Sequence, residues 1–344
     1  MILKLVKEQM LLPRQEYIIN QWANIRGMDV LLLSFTIEKD KSALWIMYIN
    51  DELDLESSAP SEHIEGYRTN RQKLLQSIER TRKDKYIHIK RMAIQGQTVT
   101  FDSSSCSPVY ESNIEGIMRL QHFAEKGLLP EEWDNVDLRN IFIAKYEQRE
   151  DESVPHIDTT EDLSVALHID RSSLEIPIQY SFEMNFGKQP IGTKFTYYDD
   201  ELKKEYCFYV DEIYSYDIYE EILKGTRNIE DKKMRKKMLK HFIRAMKNLC
   251  PIGKNMAVIK YETEDNTQLR FMTKNYLEAE PVHSNTGVSI GFISGNGLGI
   301  NGYKVRECML HPVDKDFSGK LELELFSRLI EIPEETVRCC SRTK

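Results

Sequence analysis

Glycine and proline are scarce, at 16 and 11 among 344 residues, which excludes collagen-like and low-complexity chains. No C-x-x-C pair occurs: Cys106, Cys207, Cys250 and Cys308 stand apart, and Cys339 and Cys340 are adjacent. That spacing provides no zinc ribbon and reads as reduced thiols in an intracellular protein. The opening residues, Met1 to Glu8, contain no apolar signal-peptide core. No apolar run reaches the roughly 18 residues that a membrane span needs, so the cytoplasm is the expected location. Walker A (Gly-Lys-Ser or Gly-Lys-Thr), H-E-x-x-H, nucleophile-elbow and kinase signatures are all missing. Catalytic residues are therefore not indicated and no cofactor is expected. What is present is 41% hydrophobic and 10% aromatic residues, enough for one or two cores.

The spacing of Tyr17, Ile18, Trp22 and Ile25 predicts a helix over 14–26, with Gly27 at its C-cap. Apolar runs at 29–37 and 43–49 around a charged turn predict a hairpin buried on both faces. A helix over 62–80, a hairpin of 85–92 with 98–101, a Ser-rich loop at 102–108 and a helix over 112–126 follow. The acidic stretch 147–161 suggests a boundary between a domain of residues 1–150 and one of 151–344. Beyond it, strands are expected over 174–186, 194–198, 206–210, 256–262, 267–272 and 287–294, with helices near 213–223 and over 231–249. The mixture predicts an α+β fold with largely antiparallel sheets and packed helices.

Charge supplies the main functional signal. The chain totals -8, yet residues 66–92 sum to +7 and residues 224–254 to +9, leaving -24 for the remainder. Lysine and arginine gathered in this way are the footprint of a phosphate-binding surface. The candidates in the first segment are Arg68, Arg71, Lys73, Arg80, Arg82 and Lys83, with Tyr67, Tyr86 and His88 as possible stacking partners. In the second they are Lys233, Lys236, Lys237, Lys240, Arg244, Lys247 and Lys254. Over 231–249, Met234, Met238, Leu239, Phe242, Ile243, Met246 and Leu249 form an apolar stripe, with Lys233 to Lys247 of this set mostly on the other side, and Glu230 and Asp231 suit the positive end of the helix dipole. A merely solvated lysine face and a helix that lies on a membrane surface or a partner are the competing explanations.

Two further motifs bear on chemistry. Gly295, Gly297, Gly299 and Gly302 form a glycine-rich loop followed by strand-like residues, unlike a dinucleotide fingerprint. Its backbone is expected either to make a flexible hairpin loop or to approach a phosphate chain. The H-x-D pairs His156/Asp158 and His168/Asp170 each place two candidate metal ligands on one strand face, with His283 as a possible third ligand.

The order of Arg171 to Ile178, strands over 194–210, the helix Met234 to Leu249, then Pro251-Ile252-Gly253-Lys254-Asn255 leading into Met256 to Tyr261, resembles the C-terminal half of the RAMP proteins that form the backbone of CRISPR effector complexes. The Gly295–Gly302 loop is similar to the glycine-rich loop near the end of many RAMP proteins, whereas the N-terminal half lacks their opening strand and arginine motif. The resemblance implies a ferredoxin-like (RRM-like) core and binding of guide RNA along its sugar-phosphate backbone without cleavage. Lys254 and the basic face of the preceding helix would be contacts.

The leading expectation is thus a non-catalytic protein that binds RNA or single-stranded DNA through phosphate contacts, within a defence or anti-defence complex. Two rivals stand beside it. One is a protein-interaction or inhibitor module that uses the acidic remainder. The other is a metal-dependent enzyme that uses the H-x-D pairs.

Overall fold

The computed structural model describes residues 9–38, 42–52, 67–84, 86–110, 112–161, 163–247, 249–281 and 292–340, with Lys4 and Lys7. The chain divides into two compact units. The first spans Met1–His63, Arg80–Ser172 and Glu331–Lys344, and the second spans Ile64–Glu79 and Ser173–Ile330. In place of one cut at 150, the first unit continues to Ser172 and takes back the last strand.

The first unit contains β1 (Gln15–Ile25), β2 (Met28–Ile37), β3 (Ser42–Ile49), the end of α1 (Asn70–Lys83), β4 (Ile89–Ile94), β5 (Gln97–Pro108), α2 (Ile114–Glu125), β6 (Ile141–Gln148) and β7 (Val165–Ile169). The second contains the start of α1, then β8 (Ser172–Asn185), β9 (Gly187–Lys188), β10 (Lys194–Asp199), β11 (Lys204–Tyr216), α3 (Ile218–Gly225), α4 (Lys232–Met246), β12 (Lys254–Thr263), β13 (Gln268–Thr273), α5 (Lys274–Glu278), β14 (Phe292–Leu298), β15 (Lys304–Asp314) and β16 (Lys320–Ile332). Strand β17 (Glu335–Arg338) returns to the first unit.

Eight strands of the first unit form one sheet in the order β1-β2-β3-β6-β5-β4-β7-β17. Its ends meet where Trp22 and Cys340 exchange backbone hydrogen bonds, N to O, of 2.8 and 2.9 Å. The sheet is therefore a nearly closed barrel, which leaves few unpaired edges. Val30, Leu32, Phe35, Leu44, Ile46, Met92 and Leu167 fill its interior. On the outer face of β2, β3 and β6, Leu31, Leu33, Trp45, Met47 and Ile143 pack beneath Phe123 of α2. The continuous apolar runs of β2 and β3 are thus buried on both faces, as their composition indicates.

The helix expected over 14–26 is strand β1. Tyr17, Ile19, Ala23 and Ile25 point inward at alternate positions, while Ile18 is exposed and Trp22 lies against the outer cluster. The helical spacing arose from mixing residues of two strand faces, and the β-branched and aromatic content favours a strand. The Ser-rich stretch expected to be a loop is the second half of β5, paired with β6 from Ser103↔Glu147 to Pro108↔Phe142. Gln95 and Gly96 turn β4 into β5 with φ of +46° and +76°, the left-handed pair of a tight two-residue hairpin.

In the second unit a curved sheet, β10-β11-β12-β15-β14 with β9 beside β11, forms a half-barrel. The sheet β13-β16-β8 covers it. Phe182, Phe208, Ile259, Phe271 and Leu325 pack between the two. Ile78 of α1 joins Met272, Leu277 and Phe326 in a smaller cluster. Every pairing whose register is described runs antiparallel.

The α+β class, with its ferredoxin-like core, is therefore corrected to a β-rich fold. A ferredoxin-like unit separates its paired strands by single helices laid on one sheet face. Here α3 and α4 instead form one consecutive insertion between β11 and β12, which are direct neighbours in the sheet. Among the described residues no helix is long and apolar enough to cross a membrane.

Candidate nucleic-acid interface

The helical insertion is held at both starts by aspartate. Asp217 Oδ1 accepts the N–H groups of Tyr219 and Glu220 at 3.1 Å each, capping α3. Asp231 Oδ1 accepts those of Lys233 and Met234 at 2.8 and 3.1 Å, capping α4. Tyr219 donates its hydroxyl to the carbonyl of Cys250, which ties α3 to the chain leaving α4.

Residues 232–247 carry eight lysines and arginines and no carboxylate. At 100° per residue, Lys233, Lys236, Lys237, Lys240, Arg244 and Lys247 fall within an arc of about 100°. The stripe extends for about 21 Å along the helix, at 1.5 Å per residue. All six are exposed. Among the described residues none of the six forms an ion pair or side-chain hydrogen bond. On the opposite flank Met238, Leu239, Ile243 and Met246 are half-buried, and only Met234 and Phe242 are exposed, by 55% and 39%. Helical periodicity alone identified this face, and the structure keeps it intact.

The other basic candidates are placed differently. The first segment is split between the units, with Arg68, Arg71 and Lys73 in the second and Arg80, Arg82 and Lys83 in the first. Arg71 grips the buried Glu324 through both Nη atoms, the longer contact being 2.7 Å. That bond raises the pKa of its guanidinium further. Arg82 and Lys83 already engage partners, while Arg68, Lys73 and Arg80 are exposed. Tyr86 is hydrogen-bonded to Ser104 Oγ, and His88 faces Asp170 at 3.8 Å. Lys254 lies 3.5 Å from Asp314. A run of charge along the sequence does not reveal a carboxylate that arrives from 253 residues away, as Glu324 does for Arg71.

The glycine-rich loop already cradles an anion of its own. Gly295 and Gly297 lie within β14, and Gly299 and Gly302 make the turn into β15. Glu262 of β12 is fully buried inside this turn. Its carboxylate accepts the N–H of Asn301 at 2.9 Å, the N–H of Tyr303 at 2.7 Å and the Asn301 amide at 3.0 Å. A Cβ on Gly299 would stand 2.1 Å from that carboxylate, so glycine is required there. The place a phosphate would occupy in such a nest is filled by Glu262.

Asp211, at a bulge in β11, shares the Asn301 amide at 3.2 Å. Burial and a hydrogen bond with Glu262 raise its carboxyl pKa to about 7. Burial alone would raise Glu262 as well, but the loop N–H groups outweigh it and hold Glu262 below the usual range. Between about pH 4 and about pH 7 the folded state therefore keeps a proton on Asp211 that the unfolded chain has released, so stability falls as pH rises through that window. Asp211→Asn retains a donor toward Glu262. It is expected to flatten this dependence and to be the more stable form at about pH 8 by roughly 2 kcal/mol. Urea denaturation at several pH values checks the expectation.

The H-x-D residues serve local structure. The side chains of Gln95 and Gln97 bracket the backbones of Asp158 and His156, and Asp158 Oδ1 accepts from Thr160. His168 Nδ1 lies 2.8 Å from the Thr336 hydroxyl, and burial, with the nearby Arg91, lowers its pKa. Asp170 faces His88 and Lys90. His283 is outside the described residues. Among the described residues no group of three or more His, Cys, Asp or Glu side chains is placed to hold a metal ion. No protein-family profile, curated protein or solved structure matches the chain.

Proposed function

We propose that the protein binds nucleic acid through the phosphate backbone, using the α4 stripe. The observation that carries this reading is a contrast. Many cations elsewhere, such as Lys145, Arg270 and Arg328, are paired with carboxylates and others, such as Lys73, stand singly, whereas on α4 six exposed cations without an ion pair among the described residues share one face. Holding six like charges together is unfavourable unless an anionic polymer relieves it. No aromatic side chain lies within the stripe, so phosphate contact without base readout is the mode it supports. A bilayer suits the face less well. A helix that sinks into lipid presents its apolar side, and here most of that side is turned into the protein.

Titrating the full chain with single-stranded RNA, single-stranded DNA and duplex DNA at rising salt tests the proposal. Binding that weakens linearly in log salt is expected for at least one of them. Absence of binding to all three at low ionic strength, or preferential binding to anionic lipid vesicles, would overturn it. The RNA arm also examines the ligand that the RAMP resemblance implies.

A further inference from the structure

Two carboxylates of the second unit stand side by side in its interior with one amide between them. Asp211 is 7% exposed and Glu262 is fully buried. The Asn301 side chain donates to both, to Asp211 Oδ1 at 3.2 Å and to Glu262 Oε1 at 3.0 Å. Neither carboxylate forms an ion pair among the described residues. Two like charges held together away from water are costly, and one shared proton removes the cost. The N–H groups of Asn301 and Tyr303 point at Glu262 and favour its ionised form, so the proton belongs to Asp211.

Asn301 fastens a second loop as well. Its Oδ1 accepts the N–H of Gly192 at 3.1 Å. The feet of that loop are fixed to β11 by backbone bonds from Gln189 to Asp211 and from Val210 to Thr193, while its apex is joined to the glycine-rich turn through Asn301. Gly192 and Gly302, at φ of +80° and +89°, give the chain pivots on both sides of this contact. The two loops carry Ile191 and Leu298, the most exposed large apolar side chains among the described residues, at 80% and 75%.

The charges around the pair are few. Lys260 of β12 favours an ionised Asp211, and Glu212, the next residue of β11, opposes it. Glu212 stands opposite Lys188 of β9 and Lys260, and Lys260 stands opposite Glu307 of β15. Arg306 of β15 is bonded to Asn266, and Lys194 of β10 is paired with Glu264.

We propose that Asp211, Glu262 and Asn301 form a proton-operated latch, which joins the 299–303 turn to the apex of the 190–193 loop in mildly acidic solution and releases it as Asp211 ionises. The closed latch keeps the Asp211 proton up to about pH 7, whereas an Asp211 exposed to water gives it up near pH 4. Opening therefore becomes easier as pH rises between these values and levels off above them. The pivots confine the change to the two loops, so Ile191 and Leu298 move while the sheet stays paired.

Amide hydrogen exchange of the full chain between about pH 5 and about pH 8, resolved to single residues and divided by the intrinsic rate at each pH, tests the latch. Protection of the Gly192, Asn301 and Tyr303 amides is expected to fall by up to about tenfold per pH unit until about pH 7 and then to hold steady. The Val258 and Ile259 amides of β12 should keep their protection throughout. Asp211→Asn, which retains a donor and cannot ionise, should make the three loop amides insensitive to pH. Should that variant not fold, the contrast between loop and β12 amides in the unaltered chain decides the matter. Loop protection that is constant with pH, a fall shared equally by the β12 amides, or an unchanged pH profile in Asp211→Asn overturns the proposal.

Discussion

Exchanging Lys233, Lys236, Lys237, Lys240, Arg244 and Lys247 together for glutamine is expected to abolish salt-dependent nucleic-acid binding while leaving the fold intact. The fold should survive because α4 has no buried residue and none of the six makes an ion pair among the described residues. Their removal costs no packing and also relieves mutual repulsion. The affinity should collapse because each phosphate contact on a single strand contributes about 0.7 to the slope of log affinity against log salt. Six contacts give a slope of about -4, so the unaltered protein should lose affinity about 300-fold between about 50 and about 200 mM salt. The six-glutamine variant should show almost no slope. Fluorescence anisotropy at graded salt, alongside circular dichroism for the fold, measures both quantities. An unchanged slope would place the contacts elsewhere.

The largest effect on stability is expected from Arg328→Met. Arg328 of β16 is 3% exposed and its Nε stands 2.9 Å from Oδ2 of Asp199, which is fully buried at the end of β10. Its guanidinium also lies 4.2 Å from the centre of the Tyr206 ring. Oδ1 of Asp199 is occupied by the N–H groups of Glu201 and Leu202 at 2.9 and 2.8 Å. The pair bridges the two sheets of the second unit, since β10 and β16 belong to different ones. Removing the cation leaves a carboxylate in the interior without its counter-charge, which costs about 3–5 kcal/mol. Converting Asp199 to asparagine in the same chain should recover much of that loss, because the orphaned charge is gone while its capping acceptor remains. Urea unfolding of the single and double variants tests both statements. Equal losses in the two would show that packing, rather than charge, dominates at this position.

Features set by local spacing could be read directly from the sequence. The lysine face of α4 repeats at helical intervals within fifteen residues, and its capping aspartate lies immediately before it. The β2–β3 pair announces itself by two apolar runs with a charged turn between them. Features that depend on distant pairing could not be read. Strand β1 imitates a helix because inward Tyr17 and Ile25 and outward Ile18 and Trp22 interleave at a deceptive interval. Arg71 looks like a free cation until β16 brings Glu324 to it. The glycine-rich loop looks like a phosphate cradle until β12 inserts Glu262. In each case the missing fact is which strand stands opposite, and residue spacing carries little of that information.

The seam between Trp22 and Cys340 also dictates a temporal order. The strand that shuts the barrel, β17, is the last of the described strands, so a ribosome must produce the whole second unit before the first can finish. Throughout that interval the backbones of β1 and β7 lack their final neighbours, a state in which nascent chains stick to one another. Closure of the barrel is thus a long-range event, which slows folding relative to the hairpins that form locally.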